Sequence, residues 1–319
     1  MKDEVNKKTR NFRRFCWEAV GYKPTPEQKA FHDSTARFKA VFGGVRGGKS
    51  YCLAMELSGY ASQKDGLLWL IGPDYEQCRP EFSYLLDLFT VLDMVQPGTV
   101  SFPAKGPCKF DLVNGFKIQT KSSSKPESLA GYAPDVIGVC EPAQHGEEIK
   151  NKAFERAAER RAPVIFAGTF EKAYGWYSEL YDSWIGSNAE DAQGFSLPSW
   201  SNTNNFPGGR NDPEILLQER LLGPDLFMER YGGVPSKPHG LVFPEYSRLT
   251  HCKPVEELYD PELPVQLWVD PAKHCYACLF VQLWPGGYVH VLDEVYERGK
   301  IAQAIIPQVT ENKYWEKVS

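Results

Sequence analysis

The sequence predicts an α/β fold in which a mostly parallel sheet carries a phosphate-binding loop. The first observation is the stretch 43–50, which spells G-x-x-x-x-G-K-[ST]. The second is its context, because a short apolar run at 38–42 precedes the loop and a helical pattern at 51–63 follows it. The third is the alternation of apolar runs with helical patterns further along the chain, which is typical of parallel sheets.

The glycine-rich loop indicates a nucleoside triphosphate site. Its glycines allow backbone N–H groups to turn towards a phosphate at the start of a helix. Lys49 can then reach the β- and γ-phosphates while the Ser50 hydroxyl binds Mg²⁺. The predicted binding residues of the loop are Gly43, Gly44, Gly47, Gly48, Lys49, Ser50 and Tyr51.

The other predicted strands follow apolar runs that end in turn residues. They lie at 67–72, 110–113, 116–120, 135–141 and 162–169, with a helix at 81–92. Asn114-Gly115 lies between two of these runs and predicts a β-hairpin. Near the end of the chain, runs at 263–270, 277–284 and 288–293 predict a meander.

The composition is that of a globular protein with a substantial core. Hydrophobic residues make up 42% of the chain, and the net charge of −5 does not by itself indicate a nucleic-acid partner. Basic residues at 7–14 and at 150–161 are interpreted as solvated faces rather than as DNA-binding tracks. Eight scattered cysteines predict reduced thiols, and the lack of a signal peptide or a long apolar segment predicts a cytosolic protein.

The type of nucleotide enzyme follows from what accompanies the loop. No Asn-Lys pair has Asp two residues further on, so the guanine motif of a GTPase is missing. A small-molecule kinase would leave the last third of the chain unexplained. An ATP-hydrolysing motor needs a carboxylate at the end of a core strand and an element that senses the γ-phosphate. Glu141 and Gly168-Thr169 follow core strands and are predicted for these roles.

In the order and spacing of its motifs, the chain resembles the large terminase subunit, the DNA-packaging ATPase of tailed bacteriophages and related viruses. The similar segments extend over nearly the whole sequence, at 21–28, 43–50, 72–77, 139–143, 166–170 and 175–177. The resemblance implies a P-loop ATPase of the additional-strand catalytic-glutamate type, followed by the beginning of a ribonuclease-H-like α/β domain. The implied domains are an N-terminal adenine-side segment at 1–35, an ATPase core at 36–196, a lid and linker at 197–245, and an incomplete nuclease domain at 246–319.

The resemblance also implies roles for individual residues. Gln28 would contact the adenine base, and Lys49 would hold the phosphates. Glu141 would orient the attacking water, and Thr169 would relay hydrolysis to a lid at 197–232. Arg46, inside the phosphate loop, is a candidate for a catalytic arginine that acts in cis.

The chain departs from the family pattern at three positions. Cys140 stands where the family usually has the Asp that holds a Mg²⁺-bound water, so metal binding is expected to depend on Ser50 and the phosphates. Cys140 itself is expected to be a small buried hydrophobe, and Phe170 replaces a usual Pro. Ala130 lies where many relatives place an arginine that reaches the neighbouring subunit. The remaining candidates for such an arginine are Arg156, Arg160 and Arg161.

The last third of the chain resembles the start of the family's nuclease. Asp270 matches its first metal-binding carboxylate, which would hold Mg²⁺ or Mn²⁺. The chain reaches Ser319 before the family's other carboxylates, so the nuclease is expected to be incomplete and DNA cleavage absent. Cys275-x-x-Cys278, with His274 beside it, is interpreted as part of a meander strand rather than as a zinc site.

The resemblance further implies a motor that translocates double-stranded viral DNA into a procapsid. The implied partners are double-stranded DNA, a portal protein, a small terminase subunit and further copies of the chain in a homo-oligomeric ring, with no membrane. The motor would work in the host cytoplasm and transiently at the procapsid portal. Two alternatives stay open: another ATP-dependent nucleic-acid enzyme such as a helicase, and a scaffold that binds ATP or DNA without hydrolysis.

Overall fold

The structure is a computed structural model that describes residues 2–125, 129, 131–171, 175–187, 189–236, 251–271, 275–299 and 302–319. The chain divides into two compact units, Met1–His239 and Gly240–Ser319. The predicted boundary between lid and nuclease at 245/246 lies outside the described residues. Within the described ranges, no helix is both long enough and apolar enough to cross a membrane.

The first unit is built on a seven-stranded sheet with the order β3-β4-β2-β5-β6-β1-β7. Its strands are β1 (Phe38–Gly43), β2 (Leu67–Gly72), β3 (Lys109–Asp111), β4 (Lys117–Ser122), β5 (Val136–Cys140), β6 (Val164–Gly168) and β7 (Ala192–Leu197). All neighbouring pairs are parallel except β3 and β4. The prediction of a mostly parallel sheet is confirmed.

Helices cover both faces of this sheet. They are α1 (Lys2–Val20), α2 (Pro26–Asp33), α3 (Lys49–Leu57), α4 (Arg79–Val91), α5 (Glu148–Arg160) and α6 (Trp176–Trp184). Two further helices, α7 (Pro213–Leu222) and α8 (Pro224–Phe227), pack in a separate small hydrophobic cluster. One hydrophobic core gathers residues of α3 and α4, and a second gathers residues of α5 and α6. Because helices shield both faces, the central strands β5 and β6 are buried along their whole length, as their continuous apolar runs require.

Two details of the sheet differ from the sequence prediction. The hairpin at Asn114-Gly115 is confirmed, but β3 ends at Asp111 because Leu112 N donates to Phe116 O at 2.8 Å and closes the turn. Strand β7 has no counterpart among the predicted strands. It lies at the sheet edge beside β1 and is half-buried over most of its length, so it lacks an apolar run.

The second unit contains an antiparallel sheet with the order β10-β9-β8. Its strands are β8 (Gln266–Pro271), β9 (Cys275–Trp284) and β10 (Tyr288–Arg298), and its helices are α9 (Val255–Leu258) and α10 (Ala302–Thr310). The predicted meander is confirmed. Cys278 packs on β9 in the core of this unit, in agreement with the strand interpretation, while His274 lies outside the described residues.

Candidate nucleotide-binding site

Parallel pairing places the candidate residues at one edge of the sheet. The carboxyl ends of β1, β5 and β6 lead into the glycine-rich loop, Glu141 and Thr169 respectively. Ligands of open α/β sheets bind at this edge, beyond the ends of the strands. The sheet order therefore brings together three segments that are far apart in sequence.

Close approach and backbone conformation both require glycine in the loop between β1 and α3. A Cβ atom on Gly44 would collide with the Tyr231 carbonyl oxygen, so only glycine fits against the segment 197–232 at this point. Gly48, directly before α3, has a φ of +84°, a left-handed conformation that L side chains rarely adopt. The predicted helix begins at Lys49, so the loop ends at a helix N-terminus.

The predicted lid, 197–232, holds the loop from one side. Five hydrogen bonds make this contact: Gly44 N to Leu197 O at 2.9 Å, Val45 N to Arg230 O at 2.7 Å, Ser199 Oγ to Val45 O at 2.5 Å, Asn202 Nδ2 to Arg46 O at 2.8 Å, and Asn205 Nδ2 to Arg46 O at 3.2 Å. Four of them join backbone atoms of the loop to residues beyond β7. The loop and the lid segment are therefore mechanically connected.

A cavity of about 1190 Å³ lies over the loop. Its walls come from the N-terminal segment, the loop, the start of α4, the ends of β5 and β6, and the lid segment. The cavity brings together most of the predicted site residues: Gln28, Arg46, Gly48, Lys49, Ser50, Tyr51, Glu141 and Thr169. Of the other predicted glycines, Gly43 lies against Lys49, and Gly47 N donates to Gly44 O at 3.1 Å.

At one end of the cavity, Gln28 is held in a fixed orientation. It is the third residue of α2, and Thr25 N donates to its Oε1 at 3.0 Å in a capping box. The Tyr22 hydroxyl donates to the same oxygen at 3.2 Å. With the carbonyl oxygen occupied in this way, the amide nitrogen of Gln28 faces Gly48. This nitrogen lies 3.2 Å from the position that a Cβ atom on Gly48 would take. Gln28 is thus both a capping residue and a donor at the cavity wall.

Lys49 is buried at the floor of the cavity. Its Nζ donates to Gly44 O at 2.8 Å. Burial lowers the pKa of Lys49, while the nearby carboxylates of Glu141 and Glu81 oppose this shift. Arg230 adds a second cation close enough to lower the pKa of Lys49 further. Two cations and two carboxyl groups therefore lie close enough around Lys49 to influence its charge.

Glu141 follows β5 in a strained conformation. Its φ of 47° and ψ of 56° lie in the left-handed region, which costs a residue other than glycine about 1 kcal/mol or more. This turn aims the side chain at the end of β6, where Glu141 Oε2 accepts a hydrogen bond from Thr169 N at 3.2 Å. The predicted catalytic carboxylate and the predicted γ-phosphate sensor are therefore in direct contact.

Two departures from the family pattern fall into the hydrophobic core. Cys140 is fully buried, and a hydrogen bond with Cys78 together with burial raises the pKa of its thiol, so it is a neutral core residue as expected. Phe170 is buried and stacks on Phe42 at a centroid distance of 5.6 Å. An aromatic ring thus anchors the end of β6 to β1 where the family usually has proline.

The candidate arginines differ in whether they line the cavity. Arg46 is exposed and lines it, as does Arg230, which the sequence analysis did not single out. Arg230 donates to Phe170 O at 3.1 Å and lies 3.7 Å from Glu171. No local motif marks this arginine, because only folding of the lid brings it to the loop.

The remaining arginine candidates lie elsewhere. Arg160 pairs with Asp135 at 3.0 Å, at the start of β5, whereas Glu141 follows the end of that strand. Arg156 is an exposed residue of α5, and Arg161 caps the same helix with a φ of 53°. Ala130 lies outside the described residues.

Asp270 belongs to the second unit and not to this cavity. It is exposed near the end of β8, opposite Ala277 of β9. In the part of the chain that the structure describes, no group of three or more His, Cys, Asp or Glu residues is arranged to hold a metal ion. The role of Asp270 as a metal ligand stays a prediction.

Comparison with known proteins supports the family resemblance. No family model matches the chain. The terminase large subunit of Thermus phage G20c is 25% identical over 246 residues, which cover 68% of this chain and 49% of that protein. The chain is therefore similar in sequence to phage large terminase subunits. It spans about half the length of the curated relatives that it matches.

Solved structures of the terminase family share the fold. The large terminase ATPase domain of Thermus phage P74-26 has a TM-score of 0.55 and 21% identity, and the match covers 68% of this chain and 96% of that domain. The large terminase of a thermophilic bacteriophage, in complex with ADP, has a TM-score of 0.54 and 13% identity, with 92% of this chain and 74% of that chain covered. The predicted ATPase fold is confirmed, while the ribonuclease-H-like part stays a prediction.

Proposed function

We propose that this chain binds and hydrolyses ATP as the motor of a large terminase subunit and that hydrolysis drives translocation of double-stranded DNA into a procapsid. One observation carries the proposal: a single cavity joins the phosphate loop, through Lys49 and Ser50, to Glu141 and its partner Thr169. A loop alone would support nucleotide binding. A carboxylate poised beside the loop, with a backbone partner on the next strand, supports hydrolysis.

The nucleotide would lie between Gln28 and the loop. The Gln28 amide nitrogen would donate to a ring nitrogen of adenine, because its oxygen is already engaged by Thr25 and Tyr22. Lys49 would leave its present acceptor, Gly44 O, for phosphate oxygens. The large terminase of the thermophilic bacteriophage was solved in complex with ADP, which supports nucleotide binding by a protein of this fold.

Ser50 and the carboxyl groups of Glu81 and Glu141 near it offer hard oxygen donors, so the residues present fit a magnesium ion. Bound Mg²⁺ neutralises charge on the phosphate oxygens. Glu141 would accept a hydrogen bond from the attacking water and align it with the γ-phosphate. Arg46 and Arg230, both at the cavity wall, would stabilise the charge that develops there.

Coupling to movement would use contacts that already exist. Loss of the γ-phosphate changes what Glu141 binds, and Glu141 contacts Thr169 directly. Phe170, the next residue, accepts a hydrogen bond from Arg230, whose carbonyl oxygen in turn holds Val45 of the loop. The lid is therefore connected to both the loop and the end of β6, which a motor requires.

The partners follow from the relatives rather than from a surface of this chain. Double-stranded DNA, a portal protein, a small terminase subunit and a homo-oligomeric ring are proposed on the basis of the family resemblance. The domain division of the sequence analysis, including a nuclease segment at 246–319 with Asp270 as a metal ligand, is proposed on the same basis. We propose the same working place, the host cytoplasm and transiently the procapsid portal.

Two substitutions test the hydrolytic site. We expect Glu141→Gln to keep nucleotide binding and to lower ATP turnover by two to three orders of magnitude, roughly the effect of losing one preorganised catalytic group. Lys49→Ala is expected to abolish turnover through loss of its phosphate contact. A fluorescent ATP analogue measures binding, and phosphate release measures turnover. Normal turnover in a folded Glu141→Gln protein would contradict the proposed mechanism and favour a different catalytic base.

A further inference from the structure

Glu81 is a buried carboxyl group that the roles described so far do not use. It lies in the first turn of α4 and is only 3% exposed. Its Oε2 atom is buried and has no hydrogen-bond partner among the described residues. Leaving such a group unpaired is unfavourable, so an unpaired oxygen inside a folded protein calls for a ligand or a function.

The neighbours of Glu81 are residues of the phosphate site. The Ser50 hydroxyl and the Cys140 thiol are close enough to act as its hydrogen-bonding neighbours, and Glu141 adds a like charge. The nearby Glu81 carboxyl group also acts to raise the pKa of Lys49. Glu81 therefore lies between the start of α3 and the end of β5, beside the Ser50 hydroxyl.

Cys140 cannot supply a carboxylate at this place. The hydrogen bond with Cys78 and complete burial keep its thiol protonated, as the raised pKa indicates. A neutral thiol is a poor partner for a hard cation, whereas Mg²⁺ is usually bound through one or two carboxylates together with substrate phosphates. Without Glu81, the donor set on the protein would be reduced to the Ser50 hydroxyl.

We propose that Glu81 supplies the carboxylate that holds the nucleotide-bound Mg²⁺ next to Ser50, in place of the aspartate that Cys140 has replaced. The inference rests on the proposed ATPase function and adds a metal-binding residue to it. A carboxylate on α4 thus takes over a task that a strand-end residue cannot perform here. The unpaired Oε2 atom is the oxygen that would face the hydrated metal ion.

Metal affinity measured without turnover tests the proposal. The full chain is saturated with ADP, and bound Mn²⁺ is followed by electron paramagnetic resonance as Mn²⁺ replaces Mg²⁺. We expect Glu81→Gln to raise the Mn²⁺ concentration at half-saturation by about 10- to 100-fold, the usual loss when a supporting group of a metal site is removed. Nucleotide binding in EDTA should be unchanged, because Glu81 contacts the metal and not the base.

Two further variants make the result specific. Glu76→Gln removes the same charge from an exposed position just before α4, so it should leave Mn²⁺ affinity unchanged. Cys140→Asp, introduced into the Glu81→Gln protein, should restore most of the lost affinity, because it returns a carboxylate to the same place. If Glu81→Gln melts early, Glu81→Asp takes its place and should also weaken Mn²⁺ binding.

The possible failures separate this inference from the function on which it rests. If the unmodified chain binds no nucleotide, the proposed ATPase function is wrong. If the unmodified chain binds nucleotide and Mn²⁺ while Glu81→Gln has the same Mn²⁺ affinity, the proposed role of Glu81 is wrong and the ATPase function stands. Equal weakening in Glu76→Gln would show a general charge effect and would equally overturn the role of Glu81.

Discussion

Helix α3 contributes a residue to each of two charge clusters that differ in how their carboxyl groups are paired. The Glu56 cluster consists of Arg13, His32, Lys39 and Glu56, and the phosphate-site cluster consists of Lys49, Glu81, Glu141 and Arg230. In the first, Arg13 and His32 both bind Glu56 Oε2 and Lys39 binds Oε1, with 2.7 Å between His32 Nδ1 and Oε2. In the second, Glu81 Oε2 has no partner among the described residues.

The pKa shifts of the two carboxyl groups run in opposite directions. Burial alone would raise the pKa of Glu56, but Lys39 and Arg13 outweigh it and lower this pKa strongly. Burial and the charge of Glu141 raise the pKa of Glu81, and nearby Ser50 and Cys140 do not compensate. Two carboxyl groups buried to a similar depth therefore have pKa shifts in opposite directions, because their partners differ. Both carboxylate oxygens of Glu56 are paired within the protein, whereas Glu81 Oε2 has no partner among the described residues and is available to a ligand.

The sharpest test of this difference is the same substitution at both carboxylates. Glu56→Gln leaves Arg13 and Lys39 buried without an opposite charge, so the free energy of unfolding should fall by about 3–5 kcal/mol. Glu81→Gln removes no hydrogen bond of Oε2 and should change that free energy by about 1 kcal/mol or less. Urea unfolding followed by tryptophan fluorescence measures both. Similar losses in the two proteins would remove the distinction between the clusters.

The second cation of the phosphate-site cluster gives the next largest expected effect. Arg230→Ala should lower ATP turnover by about 10²-fold, because it removes a positive charge at the cavity wall and the bond to Phe170. The free energy of unfolding should change little, because Arg230, unlike Arg13, is not paired with Glu56. Arg14→Ala, at an exposed position of α1, is the matched control and should keep full turnover. Equal turnover in the two variants would show that Arg230 has no part in hydrolysis.

The smallest expected effect is the pH dependence of stability, and it comes from the Glu56 cluster. Burial lowers the pKa of His32 despite its bond to Glu56. Below about pH 6.5 the unfolded chain therefore binds a proton that the folded chain does not. The free energy of unfolding should fall as the pH falls from 6.5 to 5, by at most about 1.4 kcal/mol per pH unit for this group. The stabilisation by Glu56, whose pKa is lowered, stays complete above its unfolded pKa of about 4.3 and is lost only as the pH falls through its folded pKa.

Histidine variants isolate this contribution. The groups facing His32 are Arg13, Tyr22, Lys39, Cys52 and Glu56, and among them only Glu56 titrates on the acid side. His32→Gln should therefore reduce the slope between pH 6.5 and 5. His145, whose pKa burial also lowers, is the matched comparison, and His145→Gln should retain the part of the slope due to His32. An unchanged slope in His32→Gln would mean that His32 is already protonated in the folded chain.

Local sequence signals were sufficient for most of the fold and for part of the site. Strands β2, β5 and β6 could be predicted because buried parallel strands need continuous apolar runs that end in turn residues. The phosphate loop could be predicted because its chemistry needs glycines, lysine and a hydroxyl at fixed spacing. Glu141 and Thr169 could be predicted from their positions directly after core strands, and the structure places them in contact.

The tertiary structure alone decided which charged residues are buried and what they face. Arg13 belongs to a basic run in α1 that the sequence analysis interpreted as a solvated face, yet it is buried against Glu56, which corrects that interpretation at this position. Glu81 and Arg230 carry no local signal, because their neighbours come from α3, β5 and the end of β6, far away in sequence. Apolar periodicity and loop chemistry are properties of short segments, so the sequence determines them directly. The pairing of a charge depends on which segments meet, and that is settled only when the sheet and its helices are assembled.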